Sequence, residues 1–149
     1  MAYVMAAVQL AGGAYTSMNE RKEGLEQRTE LRVQAAQREQ QAGQVKAYST
    51  REGNEERRKA RLAQSALIAK AAAGGTGTDG NVETLRQDIG AEGEYRALLA
   101  MYQGEERATA LLTQADADRR SGDRYARAGK RKAATTVIDT ASDVYDKYR

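Results

Sequence analysis

Apolar residues along this chain recur at intervals of three and four and nowhere alternate over a useful length, so the pattern predicts helices and no strands. Leu31, Ala35, Ala42 and Val45 form a sparse stripe, and Ala60, Ala63 and Leu67 a stronger one. Both lie in a stretch rich in charge and Gln, residues 20–73, which reads as one long helix of about 80 Å at 1.5 Å per residue. Val82, Leu85, Ile89, Tyr95, Leu98, Leu99, Tyr102, Leu112 and Ala115 mark a second helix. A last stripe runs through Ala134, Ile138, Ala141, Tyr145 and Tyr148. Between the helices lies the one concentrated cluster of turn residues, residues 74–81. The predicted fold is therefore all-α, a long antiparallel helical hairpin. Its tip comprises Gly74, Gly75, Gly77, Asp79 and Gly80, with Asp79 or Asn81 capping the second helix.

Two boundaries are weaker. Ser17 and Glu20 have the spacing of a capping box, which starts a helix near residue 20 and leaves residues 1–19 as a separate uncharged segment. The second helix, residues 82–149, falters at Ser121-Gly122-Asp123, where a kink or a third helix is expected.

Charge order supplies a register. If the chain reverses near residue 77, position i faces position 154 − i. Glu20, Glu23, Glu26 and Glu30 then lie beside Arg124, Arg127, Lys130, Arg131 and Lys132, and Arg57, Arg58, Lys59 and Arg61 beside Glu92 and Glu94. Both matches favour an antiparallel pair, although each exposed ion pair contributes only about 0.2–1 kcal/mol.

Composition changes the picture in one respect. Of 60 hydrophobic residues, 28 are Ala and 20 are Leu, Ile or Val. Large aliphatics are thus about 13% of the chain, below the roughly 20% that accompanies a packed globular core. Disorder does not follow, because the net charge is only +3 and the chain is rich in strong helix formers without a single Pro. Long thin helices that gain burial from one another and from other copies are the expected outcome, so the hairpin is expected to be oligomeric. With no His and no Cys there is no Cys/His metal site, thiol nucleophile, Ser-His-Asp triad or disulfide. No catalytic residue, cofactor or metal site is expected, and an enzyme is not.

Three segments carry candidate functions. The first charged residue is Glu20, so Tyr3, Val4, Met5, Val8, Leu10 and Tyr15 stand in an uncharged run of nineteen residues. As a helix it is about 28 Å long, near the thickness of a bilayer core, but Gln9, Gly12, Gly13, Thr16, Ser17 and Asn19 make it a poor span alone. It serves either as a packing helix or as a membrane-inserting part of an oligomer. Arg119, Arg120, Arg124, Arg127, Lys130, Arg131 and Lys132 stand with one acid, Asp123, a local charge of +6 against −6 over residues 79–118. This basic run contacts phosphate of DNA or lipid, or pairs with the chain's own carboxylates. Gly75-Thr76-Gly77-Thr78-Asp79-Gly80 matches a dinucleotide-binding fingerprint letter for letter, but helix rather than strand precedes it, so it reads as a hairpin tip. Gly90, Gly93, Gly104, Gly122 and Gly129 are costly in a helix; they either let helices approach closely or keep the helix easy to unfold and rebuild.

The uncharged Ala-rich N-terminus, the Gln/Arg/Glu helix of residues 33–61, the tip AAAGGTGTDG at residues 71–80, Asp88-Ile89-Gly90-Ala91-Glu92-Gly93-Glu94-Tyr95 and Glu105-Glu106-Arg107-Ala108 together resemble the small internal virion proteins of short-tailed phages. The similarity covers about residues 30–130, with a looser match at the N-terminus. The resemblance implies an ejection protein carried inside the capsid with the portal, tail and other internal proteins. Such a protein leaves ahead of the genome and assembles a channel in the host outer membrane. Expected partners are further copies in a ring, other internal virion proteins, the portal or tail, host membrane, and DNA bound nonspecifically. The alternatives are a DNA-binding or condensing core protein and a helical scaffold without membrane activity.

Overall fold

A computed structural model describes residues 2–75 and 80–148, with side chains for residues 7–75 and 80–147. The chain forms two long helices that pack against each other, α1 (Ala2–Ala73) and α2 (Gly80–Tyr148). Two units make up the molecule. One combines residues 1–38 with 113–149; the other is the helical hairpin of residues 39–112.

Both weaker boundaries are corrected. α1 runs through residues 17–20 without interruption, and the Ser17 hydroxyl donates to the Ala14 carbonyl at 2.8 Å rather than capping a new helix. The Glu20 carboxylate accepts instead from Thr136 Oγ1 of α2 at 2.9 Å. No Pro stands before Ser17, so nothing forces the helix to stop there. α2 likewise passes through residues 121–123 without a break, so there is no third helix; Gly122 is a contact residue, and a Cβ there would lie 3.2 Å from Arg28 Cα.

Small residues line the contact between the helices. Among the described residues the buried apolar ones are Ala35, Ala42, Ala71, Ala97, Ala108, Ala115 and Ala126, Ser49 is buried beside them, and no large side chain is fully buried. Gly24, Gly53, Gly93, Gly104, Gly122 and Gly129 are buried as well. A Cβ on Gly129 would sit 2.7 Å from the Glu20 carbonyl oxygen and 3.2 Å from Gly24 Cα, and one on Gly24 2.9 Å from the Tyr125 carbonyl oxygen. Backbone meets backbone at these places, which only Gly allows. Of the two roles expected for Gly93, Gly104, Gly122 and Gly129, close approach is the one seen at these positions.

The contact follows one register within each unit. In the first unit Gly13 faces Thr140, Gly24 faces Gly129 and Gly122 faces Leu31; in the second Gly93 faces Ala60 and Gly104 faces Ser49. Position i thus meets position 153 − i, one residue from the register read off the charges. Gly24, Ala42 and Ala60 on α1, and Gly90, Ala108, Ala126 and Val144 on α2, are all shielded and recur every 18 residues. Eighteen residues are five turns at 3.6 per turn, so the contact line follows each helix without the under-winding that a heptad repeat demands.

Of the expected tip, Gly77 and Asp79 lie outside the described residues. Gly74 N–H donates to the Lys70 carbonyl at 2.9 Å and Gly75 N–H to that of Ala72 at 3.3 Å. Gly75 has φ +70°, the left-handed conformation with which Gly ends helices. Gly80 opens α2.

Candidate functional site

Ala and Gly fill most of the contact, which Leu31 and Met101 also reach, and many of the large apolar residues lie elsewhere. In the hairpin of residues 39–112, Val82 and Ile89 are half-buried, while Leu85, Leu112 and the group Tyr95, Leu98, Leu99 and Tyr102 are exposed. That group has i, i+3, i+4, i+7 spacing, the pattern of a helix face made to be covered. Gly93, Ala97 and Gly104 occupy the opposite side of the same turns, against α1. Tyr95 is 64% exposed and Tyr102 67%, so this part of the stripe turns away from α1. The physical reason is clearance, since a Tyr or Leu cannot enter a line on which backbones nearly touch.

The other unit shows the same division. Ala134, Ile138, Ala141 and Tyr145, expected as a packing stripe, are exposed; Ala133, Thr136, Thr140 and Val144 are partly shielded in their place. On α1, Val8, Ala11, Tyr15 and Met18 form a second exposed stripe at intervals of three, four and three. Of the candidate N-terminal residues, Val8, Leu10 and Tyr15 are exposed, and the side chains of Tyr3, Val4 and Met5 lie outside the described residues. Among the described residues, no helix is long and apolar enough to cross a membrane.

The basic run is brought together on α2, and Arg119, Arg120, Arg124, Arg127, Lys130, Arg131 and Lys132 are all exposed. Arg119 lies 3.7 Å from Asp116. The expected pairing of the run with the carboxylates of residues 20–30 does not occur: Arg124, Arg127, Lys130, Arg131 and Lys132 make no ion pair with a described residue. Lys132 shares a groove with Glu20 and Glu23, but most of the run points away from α1. The acids of this region are instead taken by α1. Arg28 Nε donates to Asp123 Oδ1 at 2.8 Å, Arg32 lies 3.6 Å from the same oxygen, and Arg38 pairs with Asp118. Reading the sequence missed these three arginines. The register could have found them, since it places Arg38 within one helical turn of Asp118.

The second expected charge match is present in one pair. Arg57 donates to Glu94 through Nε at 2.8 Å and Nη2 at 2.6 Å, a two-point contact between helices. These hydrogen bonds, and secondarily the charges of Arg57 and Arg61, hold the Glu94 carboxyl below its usual value. Hydrogen bonds from Arg86 and Gln87 do the same to Glu83, and one to Glu56 holds the Lys59 ammonium above its usual value. A groove between Ala60, Ala63, Ile89 and Gly93 is rimmed by Glu56, Lys59, Glu92 and Arg96, whose charges pair off along their own helices. Among the described residues, no three His, Cys, Asp or Glu side chains group so as to hold a metal ion.

The molecule's recognisable surfaces are thus the exposed apolar stripes and the exposed basic line, and no protein-family model, curated protein or solved structure matches the chain significantly.

Proposed function

We propose that this chain is a structural, non-enzymatic subunit that self-associates into a homo-oligomeric ring, carried in a phage virion with other internal proteins and the portal or tail. After ejection it lines part of a conduit that passes phage DNA across the host envelope. The observation that carries self-association is the inverted distribution of apolar residues. The contact between the helices buries Ala and Gly, whereas Tyr95, Leu98, Leu99 and Tyr102 in one unit and Val8, Tyr15, Met18, Ile138 and Tyr145 in the other remain in water. Covering a Leu or a similar side chain stabilises by about 1.5–3 kcal/mol, and a buried Ala contributes far less. Most of the hydrophobic stabilisation available to this sequence is therefore realised only when another surface covers the stripes. A second copy offers matching stripes, and closed rings are an economical outcome of repeated contact.

The phage setting rests on the resemblance in residues 30–130, and the membrane role on the uncharged segment of residues 1–19. The test is dye release from liposomes by the full chain and by a version lacking residues 1–17. Release that requires those residues supports insertion by the assembled segment; no release from either defeats the conduit and leaves a helical scaffold.

A further inference from the structure

We infer that Arg120, Arg124, Arg127 and Arg131 form a rail for the phosphate backbone of double-stranded nucleic acid. The four recur at intervals of four, three and four, which places them on one narrow line of α2. At 1.5 Å per residue the line is about 16 Å long. Gly122, Ala126 and Gly129 are buried on the opposite side of the same turns, so the rail faces away from α1. A duplex carries one phosphate charge per roughly 1.7 Å of its axis, so a segment of that length presents more phosphates than four arginines need. Guanidinium is also the side-chain cation that best engages phosphate at two points.

Two observations select the ligand. First, α1 removes the competing acids: Arg28 and Arg32 hold Asp123, and Arg38 holds Asp118. Among the described residues no acid forms an ion pair with Arg120, Arg124, Arg127 or Arg131, so the four guanidiniums are open to an outside anion. Second, the rail carries nothing to insert or stack. The residue flooring the depression among Arg124, Arg127, Arg131 and Lys132 is Ala128. Tyr125, the only aromatic in the run, is one position past Arg124 and so about 100° round the helix. A lipid-surface helix needs an apolar face beside its cations, and single-strand binding needs aromatic platforms. A duplex backbone needs neither, and contacts made only to phosphate are independent of sequence.

All four arginines belong to one chain, so the inference stands or falls separately from self-association. The test is fluorescence anisotropy of a labelled duplex of arbitrary sequence, titrated with full-length protein across a series of salt concentrations. Replacing all four with Gln preserves helix propensity. It should weaken binding at low salt at least tenfold and flatten the log–log salt slope by about 3–4, at roughly 0.9 per phosphate contact. The control replaces Arg21, Lys46, Arg51 and Arg58, exposed on α1, with Gln and should leave the slope unchanged. Equal losses in both variants would reduce the effect to net charge and overturn the rail. So would an absence of salt-dependent binding by the native chain, or rail-dependent binding to phosphatidylserine vesicles without binding to the duplex. Circular dichroism of each variant confirms that helicity is retained.

Discussion

Gly93→Ala and Gly43→Ala are the same substitution in the same hairpin unit, yet they should move stability in opposite directions. Both gain helix propensity, about 1 kcal/mol relative to Gly. Around Gly43 nothing lies within 4 Å of the new Cβ, so the gain is kept and the variant should be more stable by about 0.5–1 kcal/mol. At Gly93 the new methyl falls inside the contact distance of Ala60 Cβ, with Ala60 Cα at 3.6 Å and the Glu56 carbonyl oxygen at 3.7 Å. Ala60 has no rotamer to change, so only backbone movement can relieve the clash. Overpacking of this kind costs about 1–3 kcal/mol. Because the propensity term cancels between the variants, they should differ by about that amount. A double-mutant cycle with Ala60→Gly isolates the clash, and the pair should couple favourably by roughly 0.5–3 kcal/mol. Urea unfolding followed by far-ultraviolet circular dichroism measures all four species. If Gly93→Ala stabilises as much as Gly43→Ala, or if Ala60→Gly does not rescue it, the helices do not touch there and the small-residue contact is wrong.

Three further outcomes are expected. Replacing Leu98 and Tyr102 together with Glu should lower the sedimenting mass of the protein while leaving its helicity intact; an unchanged mass would remove that stripe from the assembly. Glu94 titrates below its ordinary value of 4.5 when folded, so its pairing with Arg57 stabilises the fold above that pH and is lost as pH falls through the lower folded value. The difference in thermal midpoint between the native chain and Glu94→Gln should accordingly shrink in that acid window, and a difference that persists below it would contradict the pairing. Gly75→Ala places a side chain at φ +70° and should destabilise by about 1 kcal/mol in the same urea assay, whereas Gly12→Ala, with open space around it, should not.

The sequence made the helices and their register legible for a simple reason. Helix periodicity survives in any stripe, and charge order fixes an antiparallel pair to within a residue: the expectation was 154 − i and the contacts follow 153 − i, through Gly24 with Gly129 and Gly93 with Ala60. The errors arose where local chemistry has two meanings. Ser17 can cap a helix or bond back to the Ala14 carbonyl, and only the continuation of α1 decides. Gly122 can break a helix or admit a neighbour, and only the position of Arg28 decides. The spacing from Tyr95 to Tyr102 marks a helix but not which way the stripe faces, because hydrophobicity measures what benefits from leaving water, not what fits the available gap.

That last distinction bears on both candidate surfaces. A pair of helices joined through Leu and Tyr would have used its large side chains internally and kept its outer faces polar. Here Gly and Ala hold the pair together, which sacrifices helix propensity at each Gly and leaves little burial in return. The outward face of α2 is consequently free to carry Tyr95, Leu98, Leu99 and Tyr102 in one stretch and Arg120, Arg124, Arg127 and Arg131 in another. Arg28, Arg32 and Arg38 of α1 are meanwhile occupied by Asp118 and Asp123, so α1 neutralises acids of α2 as well as supplying close contact. Substitutions on the outward face of α2 should therefore change association and binding far more than helicity, while Gly-to-Ala changes along the contact should do the reverse.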